Sequence, residues 1–275
     1  MKNYCKWILI IIILIIISTY VFMSIKNKNK NGDFIPRKTD NNTSVLYIIL
    51  NMEKNKDRLA NIENKFVDLK EKYNCDYLRI EAVDGHTMEN DPFVKKILKP
   101  DKNLLGEKFR CISSNEEWIY DGKISQSFPG LKKNGHFGTK GLTLTNMKAF
   151  FLIKDMPKYD WYCILEDDSE INEHIYNKIE DIAAYHKSTT DIILLDKRGR
   201  GGACALLYSQ KSINNLITYL HPLSYFSREN ETMYKRGANL WDWKLWVFLD
   251  NYNIKHKEYL IVSSGKFKST ISFLS

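Results

Sequence analysis

The sequence predicts an α/β domain built on a parallel sheet, and three observations carry that expectation. Short apolar, β-rich runs alternate with stretches of helical spacing through residues 45–263. The first run, the helix-spaced stretch after it and the second run together fit one βαβ unit. A later apolar run passes directly into Glu166-Asp167-Asp168. That order puts charge at the carboxyl edge of the sheet, where open α/β sheets bind ligands.

Composition narrows the class. Of 275 residues, 44% are apolar and 27% charged, which excludes a collagen-like repeat, a disulfide scaffold and a wholly disordered chain. The net charge is +8, but residues 1–45 hold seven basic and two acidic groups, leaving 34 basic against 31 acidic in the rest. A nearly balanced body argues against a binder of nucleic-acid backbone, which shows a basic face or stripe.

Residues 7–25 are almost continuously apolar, broken only by Ser18, Thr19 and Ser24. As a helix they span roughly 28 Å, enough to cross a bilayer core. A cleaved signal peptide has a shorter apolar region and an A-x-A-like site, so residues 1–25 read as an uncleaved transmembrane anchor, with a signal peptide as the alternative. Lys2 and Lys6 precede the span and Lys26, Lys28 and Lys30 follow it, so charge does not favour a short cytoplasmic amino terminus. Residues 26–44 are polar, contain Gly32 and Pro36, and read as a tether. Asn41, Asn42 and Asn230 begin glycosylation sequons, which matter only in a glycosylating lumen.

Residues 45–275 form the body. Val45–Leu50 is a buried first strand. Leu59, Ile62, Phe66, Leu69 and Tyr73 then recur at helical spacing within residues 51–73. Asp76–Val83 is a second strand, closed by the turn dipeptide Asp84-Gly85. Residues 86–137 are polar and irregular, an insertion with some helix. Gly141–Lys154 is helical, Trp161–Leu165 a strand, Ile171–Tyr185 a helix and Asp191–Leu195 a strand. Ala203–Tyr208 is a strand, Ser209–Leu220 a helix, Leu240–Tyr252 a Trp-rich helix and Tyr259–Ser263 the last strand. The five cysteines form no CxxC pair. Cys163 and Cys204 read as buried thiols, and a Cys75–Cys111 disulfide is compatible with an oxidising lumen.

The acidic triplet is the sharpest chemical signal. Alternate residues of an extended segment face the same way, so Glu166 and Asp168 can face one ligand. Hard oxygen ligands suit Mg²⁺ or Mn²⁺ on a diphosphate. The competing reading is a cap for the following helix, whose amino end favours carboxylates.

Several segments, in order, resemble glycosyltransferase family 25, which includes lipopolysaccharide glycosyltransferases and procollagen galactosyltransferases. They are Tyr47–Asn51 with Asp57-Arg58-Leu59, then Arg79–Gly85, then Gly138–Ala149, and Trp161–Asp168 ending in the Glu-Asp-Asp triplet. Gly202–Ser209 with Leu216, Leu240-Trp241-Asp242-Trp243, and Ser269-Thr270-Ile271 continue the series. Thr145-Asn146 stand where that family has Ser-His, so a histidine expected near the donor is replaced by an amide that cannot become cationic.

The resemblance implies a GT-A, Rossmann-like fold: a mixed, mostly parallel sheet with helices on both faces, after one transmembrane helix. It implies a hexosyltransferase that moves galactose or a similar sugar from a nucleotide-sugar, a UDP-sugar foremost, to a protein or glycolipid acceptor. A divalent metal, Mn²⁺ or Mg²⁺, would neutralise the leaving diphosphate. Asp168 is the first metal ligand, with Glu166 and Asp167 holding the metal or the donor ribose. Arg58 would pair with pyrophosphate, Asp84-Gly85 would lie near the nucleotide, and Thr145 and Asn146 would line the donor site. Asp242 is the candidate base for the acceptor hydroxyl. Each has a plainer reading: a solvent-facing arginine, an ordinary turn, a helix-face carboxylate. Trp241, Trp243 and Trp246 are sugar platforms or core. The basic, glycine-rich loop Lys197–Gly202 is an anion-binding rim or a solvated loop, and it lacks the Walker pattern. The expected setting is a membrane, with the body luminal, or at the cytoplasmic membrane in a bacterial source. Two other classes compete: a degenerate relative that only binds sugar or a partner, and a metal-dependent phosphohydrolase.

Overall fold

The computed structural model describes residues 43–97, 105–106, 108–110, 117–119, 137–156, 159–199, 202–220, 245, 248–249 and 253–265. The expected anchor and nearly all of the tether lie outside the described residues. Among the described residues no helix is long and apolar enough to cross a membrane.

Among the described residues the main sheet has six strands: β1 (Val45–Asn51), β2 (Asp76–Glu81), β5 (Trp161–Glu166), β6 (Ile192–Asp196), β7 (Ala205–Ser209) and β8 (His256–Val262). Their order is β2-β1-β5-β7-β6-β8. The β1–β2, β1–β5 and β6–β8 pairs are parallel, whereas β7 is antiparallel to both neighbours. The link from β6 to β7 explains the exception. Residues 197–204 are too few for a parallel crossover, which needs a dozen or more, so the chain turns back as a hairpin-like return. Within the insertion, a short helix α2 (Pro92–Ile97) matches the expected helical content. The insertion also holds a small antiparallel ribbon, β3 (Lys108–Arg110) with β4 (Glu117–Ile119), which its irregular sequence does not predict.

Strand alternation assigns the two faces. Tyr47 and Trp161 point to one side. There Tyr47 meets Phe66 of α1 (Lys56–Tyr73) and Tyr176 of α4 (Glu173–His186), and Trp161 donates its indole N–H to the Ala183 carbonyl at 2.9 Å. Leu46, Ile48, Leu50, Tyr162 and Ile164 point to the other side. They join one apolar core with Leu144, Met147 and Phe150 of α3 (Phe137–Ile153) and Ile213 and Leu216 of α5 (Gln210–Leu220). Leu245, Phe248 and Leu249, helical and buried, complete that layer. Strands buried on both faces read as continuous apolar runs, which is why β1, β5 and β6 are legible in the sequence.

Helix α1 buries Arg58, Ile62, Phe66 and Leu69, a stripe at helical spacing. Arg58 thus continues the apolar stripe at the amino end of the helix, one turn before Ile62. Asn74 ends α1 in the left-handed conformation (φ +54°) and donates its N–H to the Lys70 carbonyl. Ser44, the last residue of the expected tether, is already anchored: its N–H and hydroxyl both donate to the Asp160 carboxylate. Cys75, Cys163 and Cys204 are buried free thiols, so Cys75 is not in a disulfide; Cys111 lies outside the described residues.

Candidate functional site

The carboxyl ends of β1, β2 and β5 open into one pocket. Its lining includes Arg58, Asp84, Gly85, Thr145, Glu166, Asp167 and Asp168, together with Lys54, Asn55 and His86. Seven of the sequence-derived site residues therefore meet in one place. Asn146 does not line the pocket: it is buried, and its amide donates to the Leu142 carbonyl at 3.0 Å. Asp242 lies outside the described residues.

The acidic triplet divides its work. Asp167 is buried, and its Oδ2 accepts from the amides of Asn51 at 2.8 Å and Asn55 at 3.3 Å. Its Oδ1 faces Arg58 Nη1 at 3.3 Å. Asn55 precedes α1 as its cap residue, yet makes no side-chain cap bond. Its amide turns to Asp167 instead. Asp167 thus ties the end of β1 and the start of α1 to the end of β5, and Arg58 meets a carboxylate within the protein.

Asp168 is different. Its Oδ1 is buried and has no hydrogen-bond partner among the described residues. Burial and the neighbouring Asp167 push its carboxyl above the usual carboxylate range, against the pull of Arg58 and Arg198. Its carbonyl is held by the Gly265 N–H at 2.5 Å, and the Ser263 carbonyl accepts the Glu170 N–H at 2.8 Å. The chain beyond β8 thus braces the triplet's far side. Glu166 lines the same pocket.

A divalent cation fits this donor set. Among the described residues Asp168 Oδ1 accepts no hydrogen bond, and Glu166 lines the same pocket, so the oxygen chemistry suits a hard cation. Among the described residues no three His, Cys, Asp or Glu side chains converge to hold a metal. Mg²⁺ at nucleotide sites commonly takes one or two carboxylates and completes its shell with phosphate oxygens and water.

The opposite wall is built by close packing. Thr145 Oγ1 accepts the Val83 N–H at 2.9 Å and donates to the Gly141 carbonyl at 2.7 Å, so its hydroxyl positions the 83–85 turn. A Cβ on Gly141 would lie 2.5 Å from the Val83 carbonyl oxygen and 2.9 Å from the Gly85 nitrogen. Residues 137–140, which the sequence places ahead of the helix, are already helical, and at Gly141 the missing Cβ lets α3 pack against the turn. Asp84 accepts from the His86 N–H at 2.9 Å and from Lys54 at 3.1 Å. Burial pushes its carboxyl up, but those donors outweigh it and hold it below its ordinary value. Sequence reasoning missed Asn51, Lys54 and Asn55. Polar residues bracketing the first strand's end and preceding a helix were the available signal.

Across the sheet, Asp196 ends β6 fully buried. It accepts from the Arg198 N–H, Nε and Nη2 and, at 2.8 Å, from the Cys204 N–H. Burial pushes Asp196 up, and these donors hold it below the usual range.

No protein-family model and no curated protein matches this sequence. Among solved structures, the chain is similar to a glycosyltransferase involved in the glycosylation of the major capsid of PBCV-1, at 8% identity and a TM-score of 0.39. That match covers 82% of this chain and 94% of the other. At this distance the likeness carries no functional inference.

Proposed function

We propose that this chain is a membrane-anchored glycosyltransferase of GT-A form. It would transfer a hexose, galactose or a similar sugar, from a UDP-sugar or related donor to a protein or glycolipid acceptor. The observation that carries the reading is the buried Asp168 Oδ1, which accepts no hydrogen bond among the described residues and is set in a strand-end pocket with Glu166, Asp84 and Gly85. The ordered series of segments resembling family 25 supports it.

Asp168, with Glu166, would hold Mn²⁺ or Mg²⁺. When bound, the ion supplies electrostatic relief to the departing diphosphate. Asp167 fixes the shape of this edge through Asn51, Asn55 and Arg58. Asp84 offers a carboxylate held in its ionised form to donor hydroxyl or N–H groups, and Gly85 lets the donor approach the backbone. Asp242 is assigned as the acceptor base on the resemblance alone. Residues 1–25 would anchor the chain, with the body luminal or, in a bacterial source, at the cytoplasmic membrane.

The test is donor turnover by the full chain in detergent micelles. UDP-, GDP- and CMP-sugars are screened with Mn²⁺ for nucleotide release, with Asp168→Ala as control. Metal-dependent release from one donor, lost in the variant, is expected. No release, together with no donor binding by calorimetry, would overturn the reading in favour of a non-catalytic relative.

A further inference from the structure

We propose that Arg198 is a preset diphosphate-binding arginine, held by the buried carboxylate of Asp196 on the opposite side of the acidic triplet from the β1–β2 pocket. This inference rests on the function proposed above and assigns a further residue to that site.

The geometry starts with Asp196. It is fully buried at the carboxyl end of β6, and both of its oxygens are engaged by Arg198: Nε at 3.1 and 3.2 Å, Nη2 at 2.7 Å. The Arg198 N–H adds a third donor at 2.8 Å. Backbone and side chain of one arginine thus close on one carboxylate, which fixes the plane of the guanidinium. The loop's far end is shaped to permit it. A Cβ on Gly202 would collide with Asp196 Oδ2 and lie 2.5 Å from Arg198 Nε, so only glycine leaves the fork its place.

The fork is also tied to the acidic triplet. Cys204 donates its N–H to Asp196 Oδ2 at 2.8 Å. Its carbonyl accepts the Glu166 N–H at 2.9 Å and the Ser169 hydroxyl at 2.7 Å. One residue therefore links the arginine's carboxylate to both flanks of Glu166-Asp167-Asp168. Electrostatically, Arg198 and the triplet feel one another: the cation draws Asp168 down, and Glu166 raises Arg198.

What remains on Arg198 is the binding surface. A guanidinium carries five N–H donors, and the edge facing Asp196 uses Nε and one hydrogen of Nη2. Among the described residues Nη1 meets no acceptor, and half of the side chain is exposed. A cation already half-neutralised and locked in plane loses little entropy when it binds a second anion. Planar recognition of phosphate oxygens is what such an edge does best. A solvated loop arginine would have no need of a fully buried carboxylate or an obligate glycine.

Calorimetry on the full chain in micelles with Mn²⁺ tests this, using UDP, GDP and CDP beside uridine, guanosine and cytidine. Wild type is expected to bind one diphosphate more tightly than its nucleoside. Arg198→Gln keeps a donor toward Asp196 but removes the charge. It should weaken that diphosphate about 10- to 100-fold, as loss of a charged hydrogen bond does, and leave the nucleoside unchanged. Arg198→Lys should fall between the two. Equal loss for diphosphate and nucleoside in a folded Arg198→Gln variant would mean a structural role and overturn the inference. Diphosphate affinity within twofold of wild type would overturn it too. If wild type binds none of the three diphosphates, the proposed function itself fails and this assignment falls with it.

Discussion

Arg58 and Asp167 form an ion pair, 3.3 Å between Nη1 and Oδ1, with only 8% and 9% of their side chains exposed. The pair sits where the end of β5 meets the start of α1, and it is satisfied further by Asn51 and Asn55. The pair ties the start of α1 to the edge on which Asp168 stands, and Arg58 also lines the pocket. Removing one partner strands the other charge out of water. Arg58→Ala is expected to cost about 3–5 kcal/mol of stability, the usual penalty for leaving a buried charge uncompensated. Arg58→Met with Asp167→Leu should cost less than Arg58→Ala alone. Urea unfolding of the three proteins measures the difference.

Asp168 predicts the opposite sign. Its buried Oδ1 has no hydrogen-bond partner among the described residues, and burial with Asp167 close by raises its carboxyl. An acid held against that resistance costs stability. Asp168→Asn is expected to raise unfolding free energy by about 0.5–2 kcal/mol, the gain typical when a strained site is relieved. The same substitution should abolish Mn²⁺ binding measured by calorimetry. A destabilised Asp168→Asn would show that the carboxylate is there for the fold.

Gly141 is the point where α3 touches the 83–85 turn. A methyl group there meets backbone, which cannot swing aside as a side-chain tip can. Gly141→Ala should destabilise by about 1–3 kcal/mol, as overpacking does, despite the better helix propensity of alanine. Because the turn carries Asp84 and Gly85, donor affinity should fall as well. Thermal melts and donor titration of one preparation report both effects.

The sequence makes some of this legible and hides the rest for definite reasons. The strands β1, β5 and β6 are readable because both faces are buried and apolar residues fill them almost end to end. The acidic triplet is readable because three charges crowded at the end of such a strand repel one another, and a fold keeps them there for a ligand or a cap. The division of labour inside it is hidden. Whether Asp167 or Asp168 turns inward depends on Asn51, Asn55 and Arg58, which lie more than 100 residues away in the chain. The Asp196–Arg198 fork is half visible as a basic, glycine-rich loop. What the loop's composition does not reveal is that Gly202 serves contact with Asp196 and not loop freedom. The family pattern makes Thr145 and Asn146 donor-site groups. The structure gives their side chains backbone partners inside the protein: Val83 and Gly141 for one, Leu142 for the other.

His186 gives the fold a pH dependence of its own. It is buried at the carboxyl end of α4, with Nε2 2.6 Å from the Tyr259 hydroxyl of β8 and Nδ1 beside the hydroxyls of Thr189 and Thr190. The Tyr185 ring stands edge-on to it, and its ring nitrogens meet hydroxyls rather than a carboxylate. Burial, and then the cation of Lys257, lower its pKa below the ordinary value of 6.5. The folded state therefore prefers neutral His186. Well above pH 6.5 the ring is neutral in folded and unfolded chains alike, and its contribution is fully present. As pH falls through about 6.5, the unfolded chain takes up the proton first, and stability is lost until the folded ring titrates as well. The thermal midpoint should drop between about pH 7.5 and 5.5 in wild type. In His186→Gln, which keeps an amide toward the same hydroxyls but cannot titrate, the drop should be smaller. Equal slopes in the two proteins would assign the acid sensitivity to other groups and leave His186 a packing residue between α4 and β8.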